Sequence, residues 1–353
     1  MVRQAQNMIK YIIKRILLIF PMLLFVLIIT WLLSHMMSVN PAVNRIGVAF
    51  TDPEVYRKEM ERIGFFDPWY IKLGNYMGNF FIGDWGKSYV VVQDTPVLEV
   101  IGIICPRTFE LMIIPNIIVP IVAVKLGVIS ARNKDQSKDT VIRGLAILGA
   151  GFPVFWIAAL LQVFVGTSLE LFTLGGVNIP PLLSNSIRWF PPEEAHTGFR
   201  IVDSILYSNQ DYLWDTLLHM LLPTICMIFI SLAGITRQTR SSMLDVLDQD
   251  YIRTARAKGI QEDIVINKHA LRNALIPTSN LIIGGIPSVL LGSLFIEVTF
   301  NYQGFGFYMV QSILQGDYLL INGLLVFATL VIMGGTLAAD VMYTIIDPRI
   351  TYR

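Results

Sequence analysis

Charged residues are scarce in this chain. They make up 15% of its 353 residues, whereas 54% of the residues are hydrophobic. Since about a quarter of the residues in a soluble domain are charged, this balance indicates an integral membrane protein. The formal net charge is only +1, and the basic residues cluster in particular loops instead of forming one face. We therefore expect no nucleic-acid partner.

The sequence also lacks the usual signals for metal, disulfide and nucleotide chemistry. Its two cysteines, Cys105 and Cys226, lie in or beside different apolar segments, so we predict that both are packing residues. Residues 86–88 (GKS) resemble the end of a phosphate-binding loop, but Phe81 stands where the first glycine belongs. The chain itself is therefore not expected to hydrolyse ATP.

Long hydrophobic runs, in contrast, are abundant. A helix needs about 20 apolar residues to cross the hydrocarbon core of a bilayer. Six segments are long enough, which predicts an all-α polytopic membrane protein with six transmembrane helices. The predicted spans are residues 16–37, 111–129, 141–166, 217–233, 275–295 and 319–345.

Basic residues fall in alternate connections between these spans. They cluster in both terminal tails, between the second and third spans, and in a long polar segment at 236–276. Because basic loops remain in the cytoplasm, both termini are predicted to be cytoplasmic in the inner (plasma) membrane. The predicted organisation is a tail and first helix (1–38), an extracytoplasmic segment (39–105) and a five-helix core (106–353). A short amphipathic helix near 54–64, followed by a compact lobe, is expected outside.

The polar segment 236–276 has the signals of two short helices. Asp250 suits an N-cap, and Gly259 suits the left-handed residue that follows a helix, so a helix is predicted over 251–258. A second helix is expected to begin near Gln261. The two helices, joined at a glycine, would form a stiff elbow.

The first of these helices has a low profile. Thr254, Ala255 and Ala257 carry small side chains that would let a partner approach closely. Arg253 and Arg256 could steer or pair with that partner. The alternative is an ordinary solvated loop that carries positive-inside charges.

Three acidic residues lie within or at the ends of predicted spans, where charge is costly. Glu110 and Glu297 lie near the outer ends of their spans, and Asp340 lies nearer an inner end. They are candidates for a translocation path or gate, and the alternative is helix-end solvation or an interhelical bond. Residues Pro115, Pro120 and Pro223 could kink spans and free carbonyl groups toward a cavity.

The motif RTARAKG at 253–259, followed by HALRNALIP at 269–277, resembles the EAA loop of ABC importer permeases. It is most similar to that of the dipeptide, oligopeptide and nickel group. The triplet Arg253-Thr254-Ala255 replaces the usual Glu-Ala-Ala, while Gly259 is kept. Segments that resemble other motifs of this group, in the same order, lie at 83–88, 107–111, 152–156, 297–306 and 340–349.

The resemblance implies a permease subunit in the lipid bilayer. It would pair with a second homologous permease, two ATP-binding subunits and an extracytoplasmic solute-binding protein. ATP and Mg²⁺ would bind to the ATP-binding subunits, and this chain would hold no cofactor or metal. The residues that would couple it to the ATPase are Tyr251, Arg253, Ala255, Arg256, Ala257, Lys258 and Gly259.

The cargo implied by the resemblance is an oligopeptide or dipeptide, and the same machinery could instead carry nickel, glutathione or an oligosaccharide. A different class of function is a secondary transporter driven by an ion gradient. Such a protein would be expected to show inverted repeats or paired broken helices with acidic residues at the midplane. The sequence shows neither pattern, and a secondary transporter would leave the basic segment 236–276 without a purpose.

Overall fold

The computed structural model describes residues 2–36, 54, 57, 61, 66–167, 173–174, 177–178, 197–285, 287 and 289–346. Helices dominate these residues. The helix expected near 54–64 lies outside them, apart from residues 54, 57 and 61. The elements in chain order are α1 (Val2–Met36), α2 (Trp69–Phe81), β1 (Lys87–Ser88), β2 (Thr95–Pro96), α3 (Val97–Arg132), α4 (Ser137–Gly151), α5 (Val154–Thr167), β3 (Thr173–Leu174), β4 (Val177–Asn178), α6 (Arg200–Leu206), α7 (Gln210–Leu247), α8 (Asp250–Ala257), α9 (Glu262–Ile264), a π-helix (Val265–Ala270), α10 (Leu271–Gly285), α11 (Val289–Thr299), α12 (Phe305–Gln315) and α13 (Tyr318–Ile346).

Four of the described helices contain single stretches long and apolar enough to cross a membrane. These stretches belong to α1, α3, α7 and α13. Helices α3 and α7 have 36 and 38 residues, so both extend well beyond the apolar runs recognised in the sequence. The boundary predicted at 105/106 therefore falls inside α3, because that helix continues through polar residues that the hydropathy pattern excluded.

The predicted span 141–166 is bent. Helices α4 and α5 meet at an angle of 107° around Phe152 and Pro153, and together they could form one further span. Proline lacks an N–H group and disfavours the helical conformation at the preceding residue, and Phe152 is accordingly extended, with φ −98° and ψ 143°. This local chemistry accounts for the bend.

The predicted span 275–295 is divided between α10 and α11. Residue Pro287 lies between these helices, and the preceding helix ends at Gly285. Among the described helices, neither half is long enough to cross a bilayer alone. The described structure is thus an all-α bundle of long helices with two interrupted segments.

Helices α3 and α7 form the central contact of the bundle. At Gly127, an added Cβ would lie only 2.5 Å from the Cβ of Thr239, so the absence of a side chain permits the close approach. The main hydrophobic core joins α3 and α7 to α11, α12 and α13, and it includes Leu111, Met220 and Phe300. Cys105 and Cys226 are buried in this core, as predicted.

Candidate functional site

The polar segment forms two helical parts joined by a tight turn, and we call residues 250–270 the elbow. Gly259 has φ +73°, so the predicted left-handed residue is confirmed. The helix begins one residue earlier than predicted, because Gln249 occupies the N-cap position with extended backbone angles and Asp250 is already helical. The Asp250 carboxylate instead lies 3.5 Å from the Arg253 guanidinium. The second helical part begins at Glu262, as predicted near Gln261.

One face of α8 is buried against the rest of the elbow. Ile252 and Ala255 are three positions apart, so they lie on the same side of the helix and point inward. This placement differs from the prediction that Ala255 shares an exposed surface with Ala257. The hydrophobic cluster beneath this face comprises Ala131, Met243, Ile252, Ala255, Val265, Ile266, Ala270 and Ala274.

The opposite face of α8 is open. Tyr251, Arg253, Ala257, Lys258 and Gly259 are all exposed. The open face therefore combines two positive charges with a small side chain and an aromatic ring.

Arg256 connects the two helical parts on either side of Gly259. Its Nε and Nη2 atoms donate to the two carboxylate oxygens of Glu262 at 3.1 and 2.8 Å. These hydrogen bonds hold the pKa of the Glu262 carboxyl below its usual range and raise the pKa of Arg256. Because the pKa of Glu262 is lowered, the pair stabilises the turn above the usual pKa range of a glutamate. This contribution is lost as the pH falls through the lowered value.

The elbow is fixed to two of the long helices. Met243 of α7 and Ala131 of α3 belong to its hydrophobic cluster. In addition, the Arg132 Nη1 atom of α3 donates to the Asp263 carboxylate at 2.7 Å. The elbow and the adjoining ends of α3 and α7 therefore form one packed unit.

A buried ion pair strengthens the same end of the bundle. Asp139 is fully buried and accepts hydrogen bonds from Arg240 Nε at 2.7 Å and Arg240 Nη2 at 2.8 Å. The Ser130 hydroxyl and the Asp135 backbone N–H donate to it as well, at 2.5 and 2.9 Å. This pair could not be predicted from the sequence, because an aspartate in the first turn of a helix is usually solvated and Arg240 lies 101 positions away.

Glu110 and Glu297 bind the amino-terminal ends of other helices. Glu110 accepts hydrogen bonds from the backbone N–H groups of Arg200 and Ile201, at 3.0 and 2.6 Å, where α6 begins. Glu297 accepts hydrogen bonds from Gly306 and Phe307, at 2.7 and 3.1 Å, where α12 begins. Both carboxylates thus satisfy backbone donors that a helix end leaves unpaired.

Glu297 also holds three elements together. The hydroxyl groups of Thr108 and Ser293 each donate to its Oε1 atom at 2.9 Å. The Thr108 hydroxyl oxygen in turn accepts a hydrogen bond from the Phe305 backbone N–H at 2.7 Å. This network links α3, α11 and α12, so the structure gives Glu297 a positioning role.

Asp340 lies apart from these two glutamates. It pairs with Arg15 at 3.0 Å and accepts a hydrogen bond from the Tyr11 hydroxyl at 2.9 Å, which ties α13 to α1. The three acidic residues predicted from the sequence therefore do not converge on one site. Their role in a path or gate stays a prediction.

A fourth carboxylate, Asp317, was not singled out in the sequence. Its Oδ2 atom accepts the Ser88 hydroxyl at 2.6 Å and the backbone N–H groups of residues 89–91 at 3.1–3.2 Å. Its Oδ1 atom accepts the Leu320 N–H at 3.3 Å, at the start of α13. An aspartate directly before a long apolar run is a helix-start signal that could have identified it.

A cavity of about 380 Å³ lies between α3, α5, α7, α10 and α11. Pro115 and Pro120 line it, as the sequence suggested, whereas Pro223 is not among its lining residues. Asn116 and Ser231 supply its polar side chains, and no charged residue in the described part of the chain lines it. The cavity is therefore a neutral, mostly apolar space beside helix interruptions.

The family of binding-protein-dependent transport system inner membrane components matches residues 123–352. This range includes the elbow and most of the helices around the cavity. The chain belongs to this family. It is accordingly a multi-pass inner-membrane protein and the permease component of an ABC transport system, and the family predicted from the motifs is confirmed.

Curated relatives match nearly the whole chain. The oligopeptide transport system permease protein AppB of Bacillus subtilis is 34% identical over 349 residues, which cover 98% of this chain and 100% of the relative. The dipeptide transport system permease protein DppB of Alkalihalophilus pseudofirmus is 34% identical over 348 residues, with the same coverage. The dipeptide transport system permease protein DppB of Escherichia coli K12 is 31% identical over 347 residues, again with 98% and 100% coverage.

Proposed function

We propose that this permease moves oligopeptides or dipeptides across the inner membrane after an extracytoplasmic solute-binding protein delivers them. A second homologous permease would complete the membrane part, and two ATP-binding subunits, which bind ATP and Mg²⁺, would drive it. The cargo is supported by the names of relatives that match the chain from end to end. The observation that carries the mechanism is the elbow, whose one face is packed and whose other face is open.

The topology that fits this function has six spans, with α4 and α5 forming one interrupted span and α10 and α11 another. Both termini and the elbow would face the cytoplasm. The distribution of basic residues supports this orientation, because Arg132, Arg240 and Arg253 all lie at the elbow end of the bundle.

The elbow would act as a lever. Tyr251, Ala257 and Lys258 would contact the ATP-binding subunit, while Ile252 and Ala255 carry the movement into the cluster beneath. A close-packed cluster has low compressibility, so a displacement of α8 would be transmitted to the ends of α3 and α7. The spans could then switch between inward-facing and outward-facing conformations of the translocation path.

Uptake by the reconstituted transporter is expected to depend on ATP. Vesicles that contain this chain, its partner permease and both ATP-binding subunits should accumulate a labelled dipeptide when the binding protein and ATP are supplied. Imposing a proton gradient without ATP should give no accumulation. Uptake driven by the gradient alone would identify a secondary transporter and contradict the proposal. Accumulation of labelled nickel, glutathione or an oligosaccharide under the same conditions, without accumulation of the dipeptide, would assign the alternative cargo.

We further propose that the cavity is part of the translocation path. Main-chain groups of a peptide and its varied side chains can pass through a neutral space without strong ionic contacts, and this cavity has that character. Pro115 and Pro120 cannot donate backbone hydrogen bonds, so carbonyl groups of α3 are left without helical partners near the cavity. Such irregular backbone is tolerated in a membrane where it lines a cavity.

Filling the cavity is expected to block transport without unfolding the protein. Gly234 lines the cavity, and an added Cβ at this position would meet no atom within 4 Å. The Gly234→Leu substitution should therefore oppose cargo entry by about 1–3 kcal/mol and lower uptake roughly tenfold. The measurement is the initial rate of ATP-dependent peptide uptake.

Gly144→Leu is the matched control. Gly144 also has no atom within 4 Å of an added Cβ, but it lies on α4 outside the cavity lining. The control should retain uptake, and both variants should keep the thermal stability of the parent protein. Normal uptake by a stable Gly234→Leu variant would exclude the cavity from the path.

A further inference from the structure

Helix α2 (Trp69–Phe81) has three distinct sides. One side, with Leu73, Tyr76 and Phe80, is partly covered by the protein. Successive residues in an α-helix are 100° apart, so Lys72, Asn75 and Asn79 form a polar strip on a second side. The third side is apolar and uncovered, and its large side chains are Tyr70, Ile71 and Phe81, followed by Ile82.

The covered side packs on the membrane-crossing part of α1. The Tyr76 hydroxyl lies 3.3 Å from the Thr30 hydroxyl. Tyr76 and Phe80 also pack against the cluster formed by Leu23, Leu27 and Val326. Helix α2 therefore lies beside α1 and α13 and does not project away from the bundle.

The contacts also define how far α2 extends along α1. Its last residue, Phe81, has its ring centroid 6.1 Å from that of Phe20. Phe20 is ten positions from Thr30, which corresponds to about 15 Å along a helix axis. Because the membrane-crossing stretch of α1 is Tyr11–Leu33, the end of α2 reaches well into the depth of that span.

The neighbouring surface identifies what covers the apolar side. Phe20 is 55% exposed on a membrane-crossing helix, and Phe81 and Ile82 continue this apolar surface with exposures of 53% and 79%. Trp69 and Tyr70 lie at the other end of α2, where aromatic side chains suit the membrane interface.

We infer that α2 is embedded in one leaflet of the bilayer and that lipid acyl chains cover its apolar side. The helix enters the leaflet at Trp69 and reaches its deepest point near Ile82. Helix α2 is then a membrane-embedded part of the region between α1 and α3, and not part of a water-exposed lobe. The inference depends on packing against α1 and is independent of the cargo.

Spin labels on cysteine variants can test this placement. A label at Ile82→Cys would report on the deep end of the apolar side, and a label at Gln93→Cys in the β1–β2 turn provides an exposed control. The complete transporter, without its binding protein, would be reconstituted in vesicles of phosphatidylethanolamine and phosphatidylglycerol. Collision rates with oxygen, which partitions into lipid, and with a water-soluble nickel chelate would then be measured. The parent chain, with buried Cys105 and Cys226, gives the labelling background.

The label at Ile82→Cys should collide mainly with oxygen, and the label at Gln93→Cys mainly with the nickel chelate. Preferential nickel collisions at both positions would show that α2 lies in water and overturn the inference. An immobilised label at Ile82→Cys that meets neither reagent would show that another protein surface, not lipid, covers α2. That result would also overturn the inference. Gly74 and Gly78, which leave room on the same side, would then be the contact point for a partner helix.

Discussion

The Asp139→Ala substitution is expected to lower the free energy of unfolding by about 3–5 kcal/mol. Asp139 is fully buried, and the side chain of Arg240 is only 18% exposed. Removal of the carboxylate would leave the guanidinium largely desolvated without its charge partner, and it would also leave the Ser130 hydroxyl without its acceptor. Thermal unfolding in detergent can be followed by the reaction of Cys105 and Cys226 with a thiol-reactive dye, since both cysteines are buried.

Two variants distinguish this effect from a general loss of charge. Asp263→Ala breaks the Arg132 pair, whose side chains are 52% and 54% exposed, and should change stability by no more than about 1 kcal/mol. The double variant Asp139→Leu/Arg240→Met removes both buried charges and should recover much of the lost stability. If Asp139→Ala unfolds at the same temperature as the parent protein, the ion pair does not stabilise this end of the bundle.

Local features of the elbow could be predicted from the sequence. A glycine after a helix-forming stretch predicts a left-handed residue, and Gly259 adopts that conformation. The inward direction of Ala255 could not be predicted in the same way. It depends on contacts with Val265 and Ala270, which pack beneath α8 only after the turn at Gly259 reverses the chain.

Long-range contacts explain the other differences. The sequence placed Glu110 and Glu297 near the outer ends of predicted spans, but it did not reveal their partners, which are helix ends that lie 90 and 9 positions away in the chain. Hydropathy identified the apolar centres of α3 and α7 and omitted their polar ends, since those ends are stabilised by packing and pairing outside the apolar stretch. Pro153 was visible in the sequence and accounts for a break after Gly151, but the sequence does not give the size of the bend, which is 107°.

The Gly259→Val substitution is expected to abolish coupled transport while the transporter still assembles. Gly259 has φ +73°, a conformation that costs an ordinary L-residue about 1–2 kcal/mol and strains a β-branched residue further. No atom lies within 4 Å of an added Cβ, so crowding does not contribute to the effect. A changed turn would alter the orientation of the open face of α8 relative to the ATP-binding subunit. Peptide uptake should then fall by about tenfold or more.

Gly259→Asn is the matched control for this prediction. Asparagine adopts the left-handed conformation far more readily than valine, and it adds a side chain at the same open position. The control variant should therefore retain most of the uptake. Equal losses in both variants would indicate that the added side chain, and not the backbone conformation, disturbs the contact.

The elbow is proposed to transmit ATP-driven movement to the spans. The number of peptides imported per ATP hydrolysed measures this coupling in vesicles that contain the complete transporter with its binding protein. The parent chain and Gly259→Asn should give similar ratios, whereas Gly259→Val should assemble with its partners and give a ratio close to zero. A fully assembled Gly259→Val transporter with the parent ratio would contradict the claim.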